Sequence, residues 1–358
     1  AWFLLILGLC GTAASGFAFG HAHGPEAPRR LVPYPLFLAG MALTLLAADG
    51  FTLILGFELM SFASWVLVAH DHEQAENRRA ARLYLSFAAL GGAALILCFG
   101  VLAAGTSAGA GFAALRAAPP DGLRAFAILV LVLIGAGSKA GLVPLHVWLP
   151  LAHPAAPSHV SALMSAAMTK VALYVLARVI FDLAGPAQPL FWGALLMALG
   201  VASAIMGALR AALEEDTKTL LACSTIENIG LITAGLGLAL AFRAADLGAL
   251  SAVAAGAALL HALNHAMFKT LLFLGAGEVL HGAASRRMDR LGGLIHAMPW
   301  TAGLVLVGAA AAAALPPLSG FASEWLLLQA LIAAWRVGDL AFQIGAAAAT
   351  AMAALAAA

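Results

Sequence analysis

The sequence predicts an all-α, polytopic membrane protein, and three observations carry that prediction. Of the 358 residues, 63% are hydrophobic and only 10% are charged, where a soluble domain keeps roughly 25% charged. Mean hydropathy is +0.99. Apolar runs of about twenty residues, the length that crosses a bilayer, recur along the whole chain with short connections between them. A chain so poor in charge cannot cover a water-facing surface, and no soluble domain is inserted between its spans. The net charge of +1 offers no basis for nucleic-acid binding.

In chain order the candidate spans are 1–20, 33–48, 51–70, 79–104, 122–149, 157–182, 188–211, 218–241, 247–280 and 299–334, and an eleventh, 339–358, reads as incomplete. Several exceed 25 residues, which predicts tilt or a break. The chain opens on "AWFLLILG", without an initiator Met or the basic start of a signal peptide. It stops inside the apolar run "AAAATAMAALAAA". Both ends therefore read as truncated. Orientation follows from Lys and Arg in the loops. Arg29, Arg30, Arg78, Arg79, Arg82, Arg210, Lys218, Arg286, Arg287 and Arg290 fall on one side, and Arg116, Arg124, Arg178, Arg243 and Arg336 on the other. The richer side is placed in the cytoplasm.

Five charges sit inside apolar runs. Glu58 lies in "LGFELMSF", Lys139 in 122–149, Lys170 in "SAAMTKVALY", Lys269 in "HALNHAMFKTLLF" and Glu324 in "GFASEWLLL". Each costs ~3 kcal/mol at a span centre unless it pairs or faces water, and such groups usually mark an ion or proton path. Plainer readings exist for each. A lysine near a span end can snorkel to the headgroups. Lys170 stands ~12 Å along a helix from Arg178, at 1.5 Å per residue, which is far for that. Lys139 can snorkel or cap loose carbonyls beside a break, and Lys269 reaches an interface more easily. For Glu58 and Glu324 the plain reading is a structural ion pair.

His261, His265 and Lys269 recur at i, i+4 and i+8 and share one helix face, flanked by Asn264. A stripe of this kind in an apolar helix reads as a hydrogen-bonded wire facing the bundle interior. The His–His spacing also suits a metal, but no Cys or nearby carboxylate completes a site. Cys10, Cys98 and Cys223 lie apart in separate apolar segments without CxxC spacing, so neither a zinc nor an iron–sulfur framework is expected. "GLGL" at 235–238 lies within a span and lacks the strand-turn-helix setting of a nucleotide loop. No flavin, metal, quinone or other cofactor is expected.

Two spans are interrupted. "KAGLVPLHVWLP" places Pro144 in one, and "LPPLSGF" places Pro316, Pro317 and Gly320 in another. Proline removes a backbone donor and clashes with the preceding turn. In a membrane, freed backbone groups are tolerated only beside protein or water. Gly/Pro-interrupted spans at corresponding places in two halves point to a transporter built from repeats. Here an N-terminal span and loop, 1–32, precede the halves 33–182 and 188–358. Each half has five spans with its break in the fourth, and an odd repeat inverts the second copy.

At this point the motifs resemble a known family. "GSKAGLVPLHVWLPLAHPAAPSHVSALMSAAMTKVALY" is similar to the signature stretch of the proton-conducting antiporter-like membrane subunits. Respiratory complex I, Mrp-type sodium/proton antiporters and membrane-bound NiFe hydrogenases share these subunits. "FELMSFASWVLVA", "DTKTLLACSTIENIGL", "HALNHAMFKTLLFLGAGEV" and "LPPLSGFASEWLLLQAL" match in the same order. "AHPAAPSHVSALM" and "STIENIG" most resemble the branch of hydrogenase-4 component B and formate hydrogenlyase subunit 3. The resemblance implies about fourteen spans in the family, of which this chain would hold the third to part of the thirteenth. It places Glu58 at the fifth-span glutamate, Lys139 at the seventh-span lysine, and Lys170 at the central lysine of the eighth. His261 and His265 fall at the eleventh-span histidines, and Glu324 falls where members carry Lys or Glu after the second break.

The implied protein moves protons through these buried Glu, Lys and His residues, driven by redox chemistry elsewhere. It would be a subunit of an oxidoreductase complex in the bacterial cytoplasmic (inner) membrane. Its partners would be other membrane subunits, a peripheral NiFe hydrogenase or dehydrogenase arm, and the lipid bilayer. Burial favours the neutral form of a lysine and a neighbouring carboxylate favours the charged form, so a changing Glu–Lys separation loads or unloads a proton. The alternatives are an Mrp-type sodium/proton antiporter subunit and a membrane anchor that does not pump.

Overall fold

The computed structural model describes residues 1–21, 32–107 and 109–357. Arg29 and Arg30, used above for orientation, lie outside the described residues. Among the described residues every regular element is helical, as expected of segments that must satisfy their own backbone groups in lipid. Eight helices among the described residues are long and apolar enough to span a membrane. The chain packs as two compact units.

The first unit comprises Ala1–Gly141 and Leu145–Pro186. It contains α1 (Trp2–His21), α2 (Pro33–Leu46), α3 (Gly50–Val68), α4 (Ala75–Ala103), a short α5 (Phe112–Ala117), α6 (Gly122–Ala140), a short α7 (Leu149–Ala155) and α8 (Ser158–Leu183). The expected span 122–149 is thus cut in two. Gly141 closes α6 in a left-handed conformation, φ +90°, which an L side chain resists, and Pro144 keeps the helix from resuming at once. Asp49 caps α3 by accepting from the Thr52 N–H at 2.8 Å. α2 and α3 touch through glycines: a Cβ on Gly56 would fall 2.6 Å from the Thr44 nitrogen. α4 and α6 run antiparallel, Cys98 lying against Ile128 and Gly91 against Ser138. α8 is buried nearly throughout and is loosened by two π turns, Met164–Met168 and Arg178–Leu183. At its end Asp182 accepts from Arg116 at 2.6 Å and from Arg178 at 2.5 Å.

The second unit comprises Leu142–Pro144 and Ala187–Ala358. It contains α9 (Leu190–Leu213), α10 (Thr217–Ala244), α11 (Gly248–Ala283), a short α12 (Leu294–Ala297), α13 (Pro299–Ala312), α14 (Ser319–Ile332) and α15 (Leu340–Ala357). The expected span 299–334 is likewise two helices. Gly320 lets the start of α14 lie directly on the Ala311 carbonyl, where a Cβ would overlap it. Asp216 caps α10 by accepting from the Thr219 N–H at 3.0 Å. α10 is the most buried helix of the unit. It is seamed to α9 by Gly193, Gly200 and Gly207 on one side and Gly230 and Gly237 on the other, each facing the backbone of the partner helix. The seven-residue spacing keeps these glycines on one face, so the helix axes approach closely enough for backbone packing.

Candidate functional site

In the first unit Lys139 rests on a side chain that the sequence did not mark, Tyr84. Lys139 occupies the last turn of α6 and is 3% exposed. Its ammonium donates to the Tyr84 hydroxyl of α4 at 3.0 Å and lies 4.5 Å from the centre of that ring. The Tyr84 oxygen stands 2.5 Å from Ser64 Oγ on α3. Ser64 also bonds the Met60 carbonyl at 2.6 Å. A serine has one proton to give and a carbonyl can only accept. With the Ser64 proton on the Met60 carbonyl, the Tyr84 hydroxyl donates to Ser64 in preference to the weaker acceptor Met168 Sδ, 3.6 Å away, and its oxygen is left to receive Lys139. Trp148, just before α7, packs edge-on against Tyr84 at 4.9 Å and donates its indole N–H to the Ser138 carbonyl at 2.8 Å. That bond satisfies a backbone group freed where α6 stops, which a membrane interior requires.

Glu58 lies on α3 with its carboxylate against Gly92 of α4, in space that a Cβ would fill. Its Oε1 is buried and takes no hydrogen bond among the described residues. Lys139 stands near enough for its charge to act on Glu58, but the ammonium is seated on Tyr84. The expected Glu58–Lys139 relation is therefore one of proximity in this conformation, without direct contact. Lys170 is buried on α8 and donates to the Ser165 carbonyl at 2.9 Å and to Thr169 Oγ1 at 3.3 Å. Ser165 belongs to the π turn, where the regular backbone ladder is displaced and carbonyls are left open to side chains. Met168 of the same turn brings its sulfur to 3.6 Å from the Tyr84 oxygen.

In the second unit the α11 stripe faces α10 and α14. His261, His265 and Lys269 are each 0% exposed. His261 meets Ser323 Oγ of α14 through Nδ1 at 2.9 Å and Asn228 Oδ1 of α10 through Nε2 at 3.1 Å. Asn228 spends its amide N–H on the Ser224 carbonyl at 2.8 Å. Its Oδ1 therefore accepts, which places the proton of a neutral His261 on Nε2. Asn264 donates to Ser323 Oγ at 3.0 Å and to the Ser319 carbonyl at 2.6 Å. Ser323 can turn its own proton to the Gly320 carbonyl, 3.1 Å away. The site thus accommodates an imidazole or an imidazolium by rotating one hydroxyl. Lys269 donates to the Leu221 carbonyl at 3.1 Å and to Ser224 Oγ. His265 packs edge-on against Phe268 at 5.3 Å. Glu324, next to Ser323, is buried at 7% exposure.

Tyr84, Ser64, Ser224, Asn228, Ser323 and Glu227 were not singled out from sequence. Glu227 lies on α10 within electrostatic reach of both Lys269 and Glu324. It carried a usable signal, being an acid inside the apolar run 218–241, by the same criterion that marked Glu58. The hydroxyl and amide partners carried none, since Ser, Asn and Tyr are unremarkable in any span. Lys218, counted above among loop cations, is buried in the first turn of α10. Nearby, Asp216 pairs with Arg286 at 3.1 Å.

A sequence model of the family described as NADH:quinone oxidoreductase/Mrp antiporter, TM, matches residues 47–347. The chain belongs to this family. As a member of the NADH:quinone oxidoreductase/Mrp antiporter family, it is 42% identical over 310 residues to hydrogenase-4 component B of Escherichia coli (strain K12), covering 86% of this chain and 46% of that protein. It is 43% identical over 202 residues to formate hydrogenlyase subunit 3 of the same strain, covering 56% of this chain and 33% of that one. In a structure of the Mrp complex from Dietzia sp. DQ12-45-1b, one chain superposes over 99% of this chain and 64% of its own length, with a TM-score of 0.81 and 25% identity. This chain therefore spans about half or less of the length of these two curated relatives. The family resemblance read from the motifs is confirmed, and with it the antiporter-like, multi-pass membrane fold.

Proposed function

We propose that this chain is a proton-translocating membrane subunit of a redox-driven complex, of the hydrogenase-4/formate hydrogenlyase or NADH:quinone oxidoreductase kind. The observation that carries this reading is the pair of buried polar assemblies, one in each unit. In the first, Lys139 rests on Tyr84 with Glu58 within electrostatic reach, and Lys170 bonds the π turn whose Met168 adjoins Tyr84. In the second, Asn228, His261 and Ser323 form a bonded run across α10, α11 and α14, and Lys269 bonds Ser224 of α10 close by. Titratable groups placed this deep in apolar helices are costly, and Lys139, Lys170, Lys269 and His261 each bond a hydroxyl that can take and give a proton. Protons would move along each assembly, with Glu324 as the exchange site at the end of the second. Partners would be other membrane subunits and a peripheral hydrogenase or dehydrogenase arm, in the bacterial cytoplasmic membrane.

Two five-helix repeats, 33–182 and 188–358, are part of the reading. Three parallels support them. The second helix of each half is capped by an aspartate, Asp49 or Asp216. That aspartate forms an isolated backbone bridge with the segment after the third helix, Asp49 with Gly111 and Asp216 with Arg287. The first two helices of each half are joined through glycines.

The test is proton uptake by proteoliposomes holding the assembled complex. Lys139→Met should abolish uptake while leaving assembly near normal. Glu324→Gln keeps the shape and hydrogen bonding but cannot carry the proton, and it should cut uptake severely. Parental uptake in both variants would sink the reading. The second reading, a sodium/proton antiporter subunit, is favoured by the likeness to the Dietzia Mrp structure. Uptake that depends on sodium in the same vesicles would select it.

A further inference from the structure

Lys139 leaves α6 beside one acceptor and is found on another. Ser138, its neighbour, packs against Gly91, where a Cβ would stand 2.6 Å from Ser138 Oγ. The next residue of α4, Gly92, makes room for the Glu58 carboxylate. The backbone of Lys139 is therefore level with Glu58. Its ammonium, however, sits on Tyr84, seven residues earlier than Gly91 on α4 and on the same face two turns away. Ser64, which anchors the Tyr84 hydroxyl, lies six residues after Glu58 on α3, or ~9 Å along the axis at 1.5 Å per residue. Glu58 Oε1 meanwhile accepts nothing among the described residues although it is buried. One lysine thus has two possible seats, one filled and one open.

We propose that Tyr84 is a positioning residue for proton transfer: the second seat of the Lys139 amine, set between Glu58 and the π turn that holds Lys170. This rests on the proton-translocation reading above. The two seats differ chemically. A carboxylate offsets the charge of an ammonium. A phenol oxygen is neutral and receives an N–H from either the charged or the neutral amine. Moving from Glu58 to Tyr84 therefore removes charge compensation without leaving the amine unbonded in an apolar interior. The seat is rigidly defined. Tyr84 is 1% exposed, its hydroxyl is anchored 2.5 Å from Ser64 Oγ, its ring is flanked by Trp148 at 4.9 Å, and Met168 Sδ of the π turn stands 3.6 Å from the hydroxyl.

The experiment compares the parent, Lys139→Met, Tyr84→Phe and Ser64→Ala in proteoliposomes of the assembled complex, as proton uptake against pH. Tyr84→Phe keeps the ring under the ammonium and against Trp148 and removes only the hydroxyl. Losing a hydrogen bond to a charged group should slow uptake about tenfold or more at unchanged complex yield. It should also displace the pH profile, because the amine loses the partner of one of its two states. Ser64→Ala frees the phenol from its anchor, and it should slow uptake less and displace the profile the same way. If Lys139→Met pumps like the parent, the underlying reading fails. If Lys139→Met is inactive while Tyr84→Phe matches the parent, the seat alone is overturned. A uniform slowing at every pH, with the profile unmoved, marks a merely structural tyrosine and also overturns it. Should Tyr84→Phe not assemble, parental uptake and profile in Ser64→Ala overturn it.

Discussion

Glu58 and Gly92 show how a missing methyl group can set the place of a charge. The carboxylate rests where the Cβ of any other residue at position 92 would be. Only the free end of a flexible side chain stands in the way, so Gly92→Ala should barely disturb packing, and in mid-helix it removes a glycine penalty of up to ~1 kcal/mol. The carboxylate must move, however, and a misplacement of ~1 Å in a positioned reacting group costs up to ~100-fold. Gly92→Ala should therefore assemble with parental thermal stability and pump at least about tenfold more slowly. Melting curves and proton uptake on one preparation check this. A variant that pumps at the parental rate would show that the carboxylate position is not critical.

The glycine seam of α9 and α10 works on whole elements. With no hydrophobic force between helices in lipid, close backbone approach supplies the packing. Gly200 faces the Ala234 nitrogen and the Gly230 carbonyl, atoms of a helix backbone that cannot swing aside. Gly200→Leu should force the two helices apart and dismantle the second unit, read as loss of the assembled complex from detergent extracts. Gly256 on α11 faces open space, with nothing within 4 Å, so Gly256→Ala should assemble like the parent. If both variants assemble equally well, the seam does not hold the unit together. The helix stops act at this scale too. α6 ends at Gly141 because that residue is left-handed, which puts Lys139 in a final turn where the Ser138 carbonyl needs a side-chain donor. Trp148 supplies it.

For the molecule as a whole, the distribution of basic residues predicts its orientation. The first turns of α4 carry Arg78, Arg79 and Arg82, on the side richer in Lys and Arg, and this end of the helix should be cytoplasmic. Glu76 there is exposed. A single cysteine replacing it should stay unlabelled when an impermeant thiol reagent is added to intact cells, and react once the membrane is opened. Strong labelling from outside would reverse the topology and exchange the two ends of each proposed path.

The all-α membrane architecture, its spans and its intramembrane charges were legible because each is a local departure from average composition. A twenty-residue apolar run has few other uses, and Lys139, Lys170 and Lys269 stand out inside such runs. The breaks announced themselves through Pro144, Pro316 and Pro317, whose missing N–H disrupts a helix wherever it falls. Glu227 was visible on the same grounds and was passed over inside a motif. Tyr84 was not visible. It stands 55 residues from Lys139 in the chain, and tyrosine in a span is ordinary. Its role exists only because α4 runs antiparallel to α6 and carries the phenol up to the end of the broken helix. The same holds for Asn228 and Ser323 at His261, which come from two other helices. Composition decides which groups must be buried in lipid. Which neutral partners receive them depends on helix register, and only the packed structure sets that.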